Sequence, residues 1–218
     1  PAVKLQFTFP DLDGKPVSLA DPRFDGKVVI VTLAGSWCPN CHDEAAFLAQ
    51  LYREHRAEGL EVVSLMFEHF GDFTQAANAT RRFRKSTGID YVTLIAGTSD
   101  RDEAAKALPQ LTGVFAYPTT IWVDRAGVVR KIHAGFSGPA TGAHYTELTR
   151  EFRDFTLELL APTGTSQAPA ASEASAASAA PGPQAAPVPS VPSEPVPRQA
   201  HAHPADHVRH QRRRPALG

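Results

Sequence analysis

Apolar residues near the start of the chain follow patterns typical of β-strands. Around residues 7–19, apolar side chains at alternate positions flank Asp13-Gly14, which predicts a β-hairpin. Residues 28–34 are β-branched and almost continuously apolar, as expected of a central strand buried on both faces. Similar runs predict strands over residues 60–67 and 91–95.

Helical periodicity follows the central strand and returns later in the chain. Residues 39–58 carry apolar side chains at i,i+4 spacing, and Gly59 marks the end of this predicted helix. Two further helices are predicted over residues 72–86 and 102–111. A last helix has an apolar stripe with 3,4,3,4 spacing, formed by Tyr145, Leu148, Phe152, Phe155 and Leu159.

The order of these elements indicates the fold class. Residues 119–124 and 128–134 form a second predicted hairpin around Ala126-Gly127, just before the last helix. Strands that alternate with helices, followed by a hairpin and a closing helix, favour an α/β fold with a mixed sheet covered by helices on both faces.

Composition divides the chain near residue 160. All tryptophan, phenylalanine, tyrosine and cysteine residues lie within residues 1–160, whereas residues 161–218 are mostly alanine, proline, serine and polar residues. A segment without large apolar side chains cannot bury enough surface to offset its ordering entropy. We therefore predict one folded domain over residues 1–160 and a disordered Ala/Pro-rich tail over residues 161–218.

Charge and hydropathy limit the choice of partners. The formal net charge is -1, so the chain gives no reason to expect nucleic acid as a partner. The longest apolar run, residues 28–34, is much shorter than the roughly 20 residues that a membrane-spanning helix needs. Residue 1 is proline, a start expected of a chain that has lost a signal peptide or an anchor, and equally of a trimmed chain.

The candidate chemistry lies in the stretch Ser36-Trp37-Cys38-Pro39-Asn40-Cys41, where the central strand meets the first predicted helix. Free backbone N–H groups and the positive end of the helix dipole stabilise a thiolate at the first cysteine. Cys38 is therefore the expected nucleophile toward a substrate disulfide. Cys41 lies one turn further on the same side, so we expect it to resolve the mixed disulfide. Trp37 is expected to cover one side of the site with apolar surface.

Other interpretations of the cysteine pair are weaker on the residues alone. A structural zinc needs four ligands, but the chain has only these 2 cysteines, and His42 supplies at best a third ligand. We therefore expect no metal at this site. A purely structural disulfide at the helix start stays open, and His42 is expected to be a solvated residue of the first turn.

The cysteine motif, together with Tyr117-Pro118-Thr119-Thr120 about 77 positions later, resembles the thioredoxin superfamily. More narrowly, the chain is similar to the extracytoplasmic TlpA-like redoxins, including those of cytochrome c maturation. Residues 9–19 and Gly26-Lys27-Val28-Val29 contribute to the resemblance, which covers roughly residues 5–160. It implies a thioredoxin-like fold with an N-terminal hairpin.

The resemblance also implies an activity and its partners. It implies a thiol-disulfide oxidoreductase that exchanges disulfides with protein substrates, needs no cofactor, and acts as a reductant fed by a membrane electron donor protein. The implied location is the periplasm. A cytoplasmic location is the alternative, because 2 cysteines in one motif are neutral on the compartment.

Several site residues follow from the resemblance. In this family the proline matching Pro118 is cis and lies against the cysteines, and the backbone of the preceding residue, here Tyr117, pairs with the substrate chain. Thr32 stands where thioredoxins carry a buried aspartate, so the usual base for Cys41 is missing. Glu68 matches a glutamate of TlpA-like proteins near the cysteines, and we expect it to exchange protons with the site.

Two related functions stay open. Peroxiredoxin-like peroxidases share the fold but keep a threonine three positions before the reactive cysteine, where this chain has Gly35. Sco-like copper-binding modules place their cysteines one residue further apart and use a distant histidine, for which His133 is available.

The predicted tail ends in a basic segment with four histidines, His201, His203, His207 and His210, followed by Arg212-Arg213-Arg214. Such a segment can bind divalent metals weakly or contact anionic surfaces. We interpret the tail as a solvated, semi-extended spacer.

Overall fold

A computed structural model describes residues 3–111 and 116–162. Residues 163–218, nearly all of the predicted tail, lie outside the described ranges, so its disorder stays a prediction. The elements in chain order are β1 (Thr8–Pro10), β2 (Pro16–Ser18), β3 (Val28–Ala34), α1 (Pro39–His55), β4 (Leu60–Glu68), α2 (Phe73–Thr87), β5 (Val92–Thr98), α3 (Arg101–Ala107), β6 (Thr119–Val123), β7 (Val129–Ala134) and α4 (Ala143–Leu160).

Five strands form a mixed sheet in the order β5-β4-β3-β6-β7, with β3 at its centre. β3 pairs in parallel with β4 and antiparallel with β6, while the outer pairs are the parallel β4-β5 and the antiparallel β6-β7. β1 and β2 form a separate antiparallel hairpin. The predicted α/β class, the mixed sheet and the N-terminal hairpin are confirmed.

The two faces of the sheet bury different sets of elements. Because side chains alternate along β3, Val28 and Ile30 join a core with α1, α2 and α4, whereas Val29 and Val31 join a second core with the hairpin and α3. All 7 residues of β3 are buried. Helices cover both faces, as predicted, but on the second face the short α3 shares the surface with the hairpin.

The predicted stop of α1 at Gly59 is confirmed, whereas α3 ends earlier than predicted. α1 continues into a single 3₁₀ turn at Arg56–Glu58, and Gly59 ends it with a φ of 100°, the left-handed conformation of a helix stop. α3 is shorter than the helix predicted over residues 102–111. It begins after Asp100, whose carboxylate accepts hydrogen bonds from two amides of the first turn, and it ends at Ala107, just before Pro109.

The register of the central strands brings two loops together. Thr32 of β3 lies opposite Thr120 of β6, and Leu33 lies opposite Thr119. The loop that leaves β3 toward α1 and the loop that enters β6 therefore meet at the same edge of the sheet. This edge carries the cysteine pair.

Candidate active site

Cys38 and Cys41 lie at the start of α1, where the chain turns from β3 into the helix. Cys38 is the N-cap residue, and its sulfur accepts a hydrogen bond from the Cys41 amide at 3.3 Å. Pro39 occupies the first turn, where its missing N–H removes no helical hydrogen bond. Both cysteines are free thiols and almost fully buried, with 6% and 1% of their surface exposed. The predicted place of the pair, at a strand-to-helix junction, is confirmed.

The two sulfurs differ in acidity. The pKa of Cys38 is lowered to about 7, because the Cys41 thiol donates a hydrogen bond to its sulfur and the amides of Cys41 and Asn40 add to this effect, although burial opposes it. The pKa of Cys41 is raised, because donation to Cys38 holds its proton and burial disfavours its thiolate. Near neutral pH, Cys38 is therefore the better nucleophile and Cys41 keeps its proton.

Tyr117 and Pro118 belong to a loop that lies beside the Cys38 sulfur. The Tyr117–Pro118 peptide bond is cis, as the resemblance implies. The Cys38 thiol donates a weak hydrogen bond to the Tyr117 carbonyl oxygen at 3.5 Å. The Pro118 carbonyl oxygen accepts one from the Gly135 amide at 2.7 Å, which ties this loop to the end of β7. Contact of the loop with a substrate chain stays a prediction.

Trp37 forms one wall of the site. Its indole Nε1 donates to the Phe67 carbonyl oxygen at 2.9 Å, and its ring stacks on His69 and meets the edge of Tyr117, with centroids 4.5 and 5.5 Å apart. Gly35 permits this packing, because a Cβ there would overlap the indole and lie 2.9 Å from the Phe67 carbonyl oxygen. Trp37 stays 38% exposed, so it presents apolar surface beside the cysteines.

Glu68 is the last residue of β4 and is buried. Its carboxylate accepts hydrogen bonds from the Ser36 amide at 3.0 Å, the Ser36 hydroxyl at 2.7 Å and the Thr80 hydroxyl at 3.2 Å. These contacts hold the loop that precedes Trp37. The described contacts of Glu68 therefore position the loop, and its proton exchange with the cysteines stays a prediction.

A second buried carboxyl group, Glu44, lies on α1 near the cysteines, and the sequence analysis missed it. Glu44 is 1% exposed and accepts hydrogen bonds from the hydroxyls of Thr32, at 2.5 Å, and Thr120. Because these threonines are cross-strand partners, both hydroxyls reach the same carboxyl group. Burial raises the pKa of Glu44 to about 7, against the lowering effect of the two threonine hydrogen bonds. The charge of Glu44 in turn raises the pKa of Cys41.

A sequence signal for Glu44 exists within α1. Cys41, Ala45 and Leu48 form a buried stripe, and Glu44 lies three residues after Cys41 on that same side. A carboxyl group on the core-facing side of an apolar stripe is rare unless it has partners. Thr32 occupies the position at which thioredoxins carry a buried aspartate. Its hydroxyl instead donates a hydrogen bond to a carboxyl group of α1, that of Glu44.

The two histidines considered as partners of the cysteines in a metal site, His42 and His133, have other contacts. His42 is half-buried and not solvated as predicted, since its Nε2 donates to the Ser36 carbonyl oxygen at 2.9 Å and its ring meets the edge of Phe83 at 4.6 Å between centroids. His133 packs on Phe152, with 5.1 Å between centroids. Among the residues that the structure describes, no three His, Cys, Asp or Glu side chains are grouped so that they could hold a metal ion.

Comparison with known proteins identifies similar chains. The thiol-disulfide oxidoreductase ResA of Bacillus thuringiensis subsp. konkukian is 28% identical over 123 residues, which cover 56% of this chain and 62% of that protein. ResA of Halalkalibacterium halodurans is 24% identical over 158 residues, or 72% of this chain and 75% of that protein. This chain therefore spans less than two thirds of the length of the Bacillus relative.

A solved structure supports the fold. The thiol:disulfide interchange protein of the thioredoxin family from Chlorobium tepidum superposes with a TM-score of 0.56 at 22% identity, over 73% of this chain and 97% of that one.

The family model described as Redoxin matches residues 1–146. This range holds every element from β1 to β7, both cysteines, both buried glutamates and the cis Tyr117–Pro118 bond. A match over most of the chain, on a thioredoxin-like sheet that carries a dithiol at its edge, shows that this chain belongs to the redoxin family.

Proposed function

We propose that this protein is a thiol-disulfide oxidoreductase that reduces disulfides of protein substrates through Cys38 and Cys41. The observation that carries the proposal is the Cys38 sulfur. It caps α1, its pKa is lowered to about 7, it lies beside the cis Tyr117–Pro118 segment, and a protonated thiol stands three residues away. About half of Cys38 is then ionised at neutral pH.

The first step is attack of the Cys38 thiolate on one sulfur of the substrate disulfide. The substrate S–S bond breaks, its second sulfur leaves as a thiolate that takes up a proton, and a mixed disulfide joins Cys38 to the substrate. The loss of charge on Cys38 removes the acceptor that held the Cys41 proton, so the pKa of Cys41 falls at this stage.

The second step needs a base for Cys41, and Glu44 fits this role. It is buried one helical turn from Cys41, and its pKa of about 7 allows it to accept a proton near neutral pH. The Cys41 thiolate then attacks the Cys38 sulfur, the mixed disulfide breaks, and the substrate sulfur that was bonded to Cys38 leaves as a thiolate that is protonated. The protein ends with a Cys38–Cys41 disulfide, and the substrate has gained two electrons.

Direction and location belong to the same proposal. We assign reduction because the TlpA-like redoxins, which this chain resembles, act as reductants that a membrane electron donor protein reduces again. A periplasmic location is compatible with the ResA relatives. No helix within the described ranges is both long and apolar enough to cross a membrane. A client in cytochrome c maturation is the narrower form of the proposal.

Trapping tests the proposal directly. A Cys41→Ala variant of the full chain cannot complete the second step, so it should accumulate a disulfide adduct through Cys38 in a periplasmic extract, and mass spectrometry should name the client. Cys38→Ala is the matched control and should trap none. The wild type should reduce insulin disulfides, and both variants should not. Equal adducts in the two variants, or consumption of hydrogen peroxide faster than of disulfide, would contradict the proposal.

A further inference from the structure

A groove of about 410 Å³ lies beside the proposed exchange site, between the Trp37 loop, the end of β4 and α2. Buried Ala79 and Phe83 form part of its floor, while Trp37 and Phe70 on its walls are 38% and 40% exposed. Exposed aromatic surface around a concave apolar floor is typical of an interaction site.

The wall next to Cys38 is formed before any substrate binds. Trp37 is held by the Phe67 carbonyl oxygen and by its stack on His69, and the Nδ1 of His69 is within 2.6 Å of the Ser99 hydroxyl. A preformed wall loses little free energy to ordering when a ligand binds. Because Trp37 lines the groove and directly precedes Cys38, the groove is within reach of a chain that is disulfide-bonded to Cys38.

Positive charge lies on the α2 side of the groove. The helix contains no Asp or Glu but has four cations, Arg81, Arg82, Arg84 and Lys85. Arg81 is bound to Asp13 of the hairpin turn, whereas Arg82 is exposed, lines the groove and has no ion-pair partner among the described residues. Glu68 also lines the groove, but it is buried and hydrogen-bonded. The exposed fixed charge at the groove is therefore positive.

We infer that this groove docks the substrate segment beside the reactive cysteine, and that it selects a large apolar side chain together with a carboxylate. The apolar side chain fills the space over Ala79 and Phe83, and the carboxylate faces Arg82. The inference rests on the proposed function, because it requires a substrate disulfide at Cys38. It adds the substrate class that the exchange chemistry alone leaves open.

Three synthetic peptides test the inference with the full chain. In each peptide, one cysteine forms a mixed disulfide with a chromophoric thiol. The cysteine has the same two residues on each side: Phe and Glu in the first peptide, Phe and Lys in the second, and Gly and Glu in the third. The wild type should have its highest kcat/KM for the peptide with Phe and Glu. Arg82→Glu should lower the preference for Glu over Lys by about fivefold, as expected for an exposed ion pair. Phe70→Ala should lower the preference for Phe over Gly.

Lys85→Glu is the matched control, because it reverses a charge on the same helix at a position that does not line the groove. It should keep the wild-type preference for Glu over Lys. An unchanged preference in Arg82→Glu, or an equal fall in Lys85→Glu, would overturn the inference. So would a dimer in sedimentation that Phe70→Ala dissociates, since the groove would then hold a second copy of this chain.

Reduction of glutathione disulfide distinguishes a failure of the groove inference from a failure of the proposed exchange function. If the wild type reduces this small disulfide but shows no preference among the peptides, the groove inference is wrong and the exchange function stands. If the wild type reduces no disulfide at all, the proposed function itself is wrong.

Discussion

Glu44 links the chemistry of the site to the stability of the fold. Burial raises its pKa from 4.5 to about 7, and the charge of Cys38 adds to this. Between these two pH values the folded protein binds a proton that the unfolded chain has lost, so the free energy of unfolding falls as pH rises through this window. A shift of this size corresponds to about 3 kcal/mol. The carboxylate therefore lowers stability above pH 7, a cost that its proposed role as a base explains.

A Glu44→Gln variant should remove this pH dependence, because the amide keeps the shape and the threonine partners but buries no charge. We expect urea unfolding of the reduced proteins to give similar stability at pH 5. At pH 8 the variant should be more stable than the wild type by up to about 3 kcal/mol. The titration of Cys38 is present in both proteins and largely cancels in the difference.

Glu147→Gln makes the same chemical change at an exposed position of α4 and serves as the control. Its unfolding free energy should follow the wild type at both pH values. Parallel pH profiles for Glu44→Gln and the wild type would show that the pKa of Glu44 is not raised. Insulin reduction at pH 7 should also be slower in Glu44→Gln, since Cys41 then lacks its proposed base.

The residues of the site differ in how far sequence could predict them. The placement of Cys38 and Cys41 depends on a spacing and a helix start that are local in the chain, so it could be predicted, while their roles stay a proposal. The buried position of Glu44 can be explained only when Thr32 and Thr120 are known to be cross-strand partners that bind its carboxyl group. Local sequence patterns do not contain this register. Glu68 was correctly placed at the end of β4, but its bonds to Ser36 and Thr80 depend on tertiary packing.

At the scale of elements, Arg125 joins three chain segments. Its guanidinium donates hydrogen bonds to the carbonyl oxygens of Gly26 at 2.9 Å, Glu58 at 3.2 Å and Leu160 at 3.1 Å. These carbonyls lie before β3, after α1 and at the end of α4. The last is a helix C-terminus, whose carbonyls lack helical partners and carry partial negative charge. The planar guanidinium of Arg125 thus connects the C-terminal ends of α1 and α4, the two longest described helices, to the β6-β7 turn.

Replacing Arg125 with alanine should lower the free energy of unfolding by about 2 kcal/mol, because hydrogen bonds from a charged donor are lost at three carbonyls together. Arg125→Lys should recover only part of this loss, since an ammonium group cannot reach the three carbonyls as a fork does. Arg130→Ala removes an exposed ion pair with Asp124 and should change stability by less than about 1 kcal/mol. Equal losses in Arg125→Ala and Arg130→Ala would refute the fastening role of Arg125.

The elements themselves were largely predictable, and their arrangement less so. The apolar run of β3 and the 3,4,3,4 stripe of α4 are local patterns, and both elements form where they were expected. The order β5-β4-β3-β6-β7 depends on pairings between distant segments. The apolar periodicity of a strand predicts which of its faces are buried, but it does not predict which strands pair with it.

At the scale of the whole molecule, every large side chain of the two described cores belongs to residues 5–160. The tail sequence adds no aromatic residue that could extend these cores. A segment of this composition gains little from burial, so it is not expected to contribute to the cooperative unfolding of the domain.

A chain shortened to end at Ser166 should therefore have the same urea midpoint as the full chain, and its free energy of unfolding should agree within about 0.5 kcal/mol. It should also reduce insulin at the same rate. A chain that ends at Asp154 is the contrasting control. It removes Thr156, whose hydroxyl accepts the hydrogen bond from the buried Trp122 indole at 3.0 Å, and it removes Leu160 from the core. Loss of these contacts should lower the midpoint strongly. If ending the chain at Ser166 lowers the midpoint as much, the domain extends beyond residue 160 and the boundary predicted from composition is wrong.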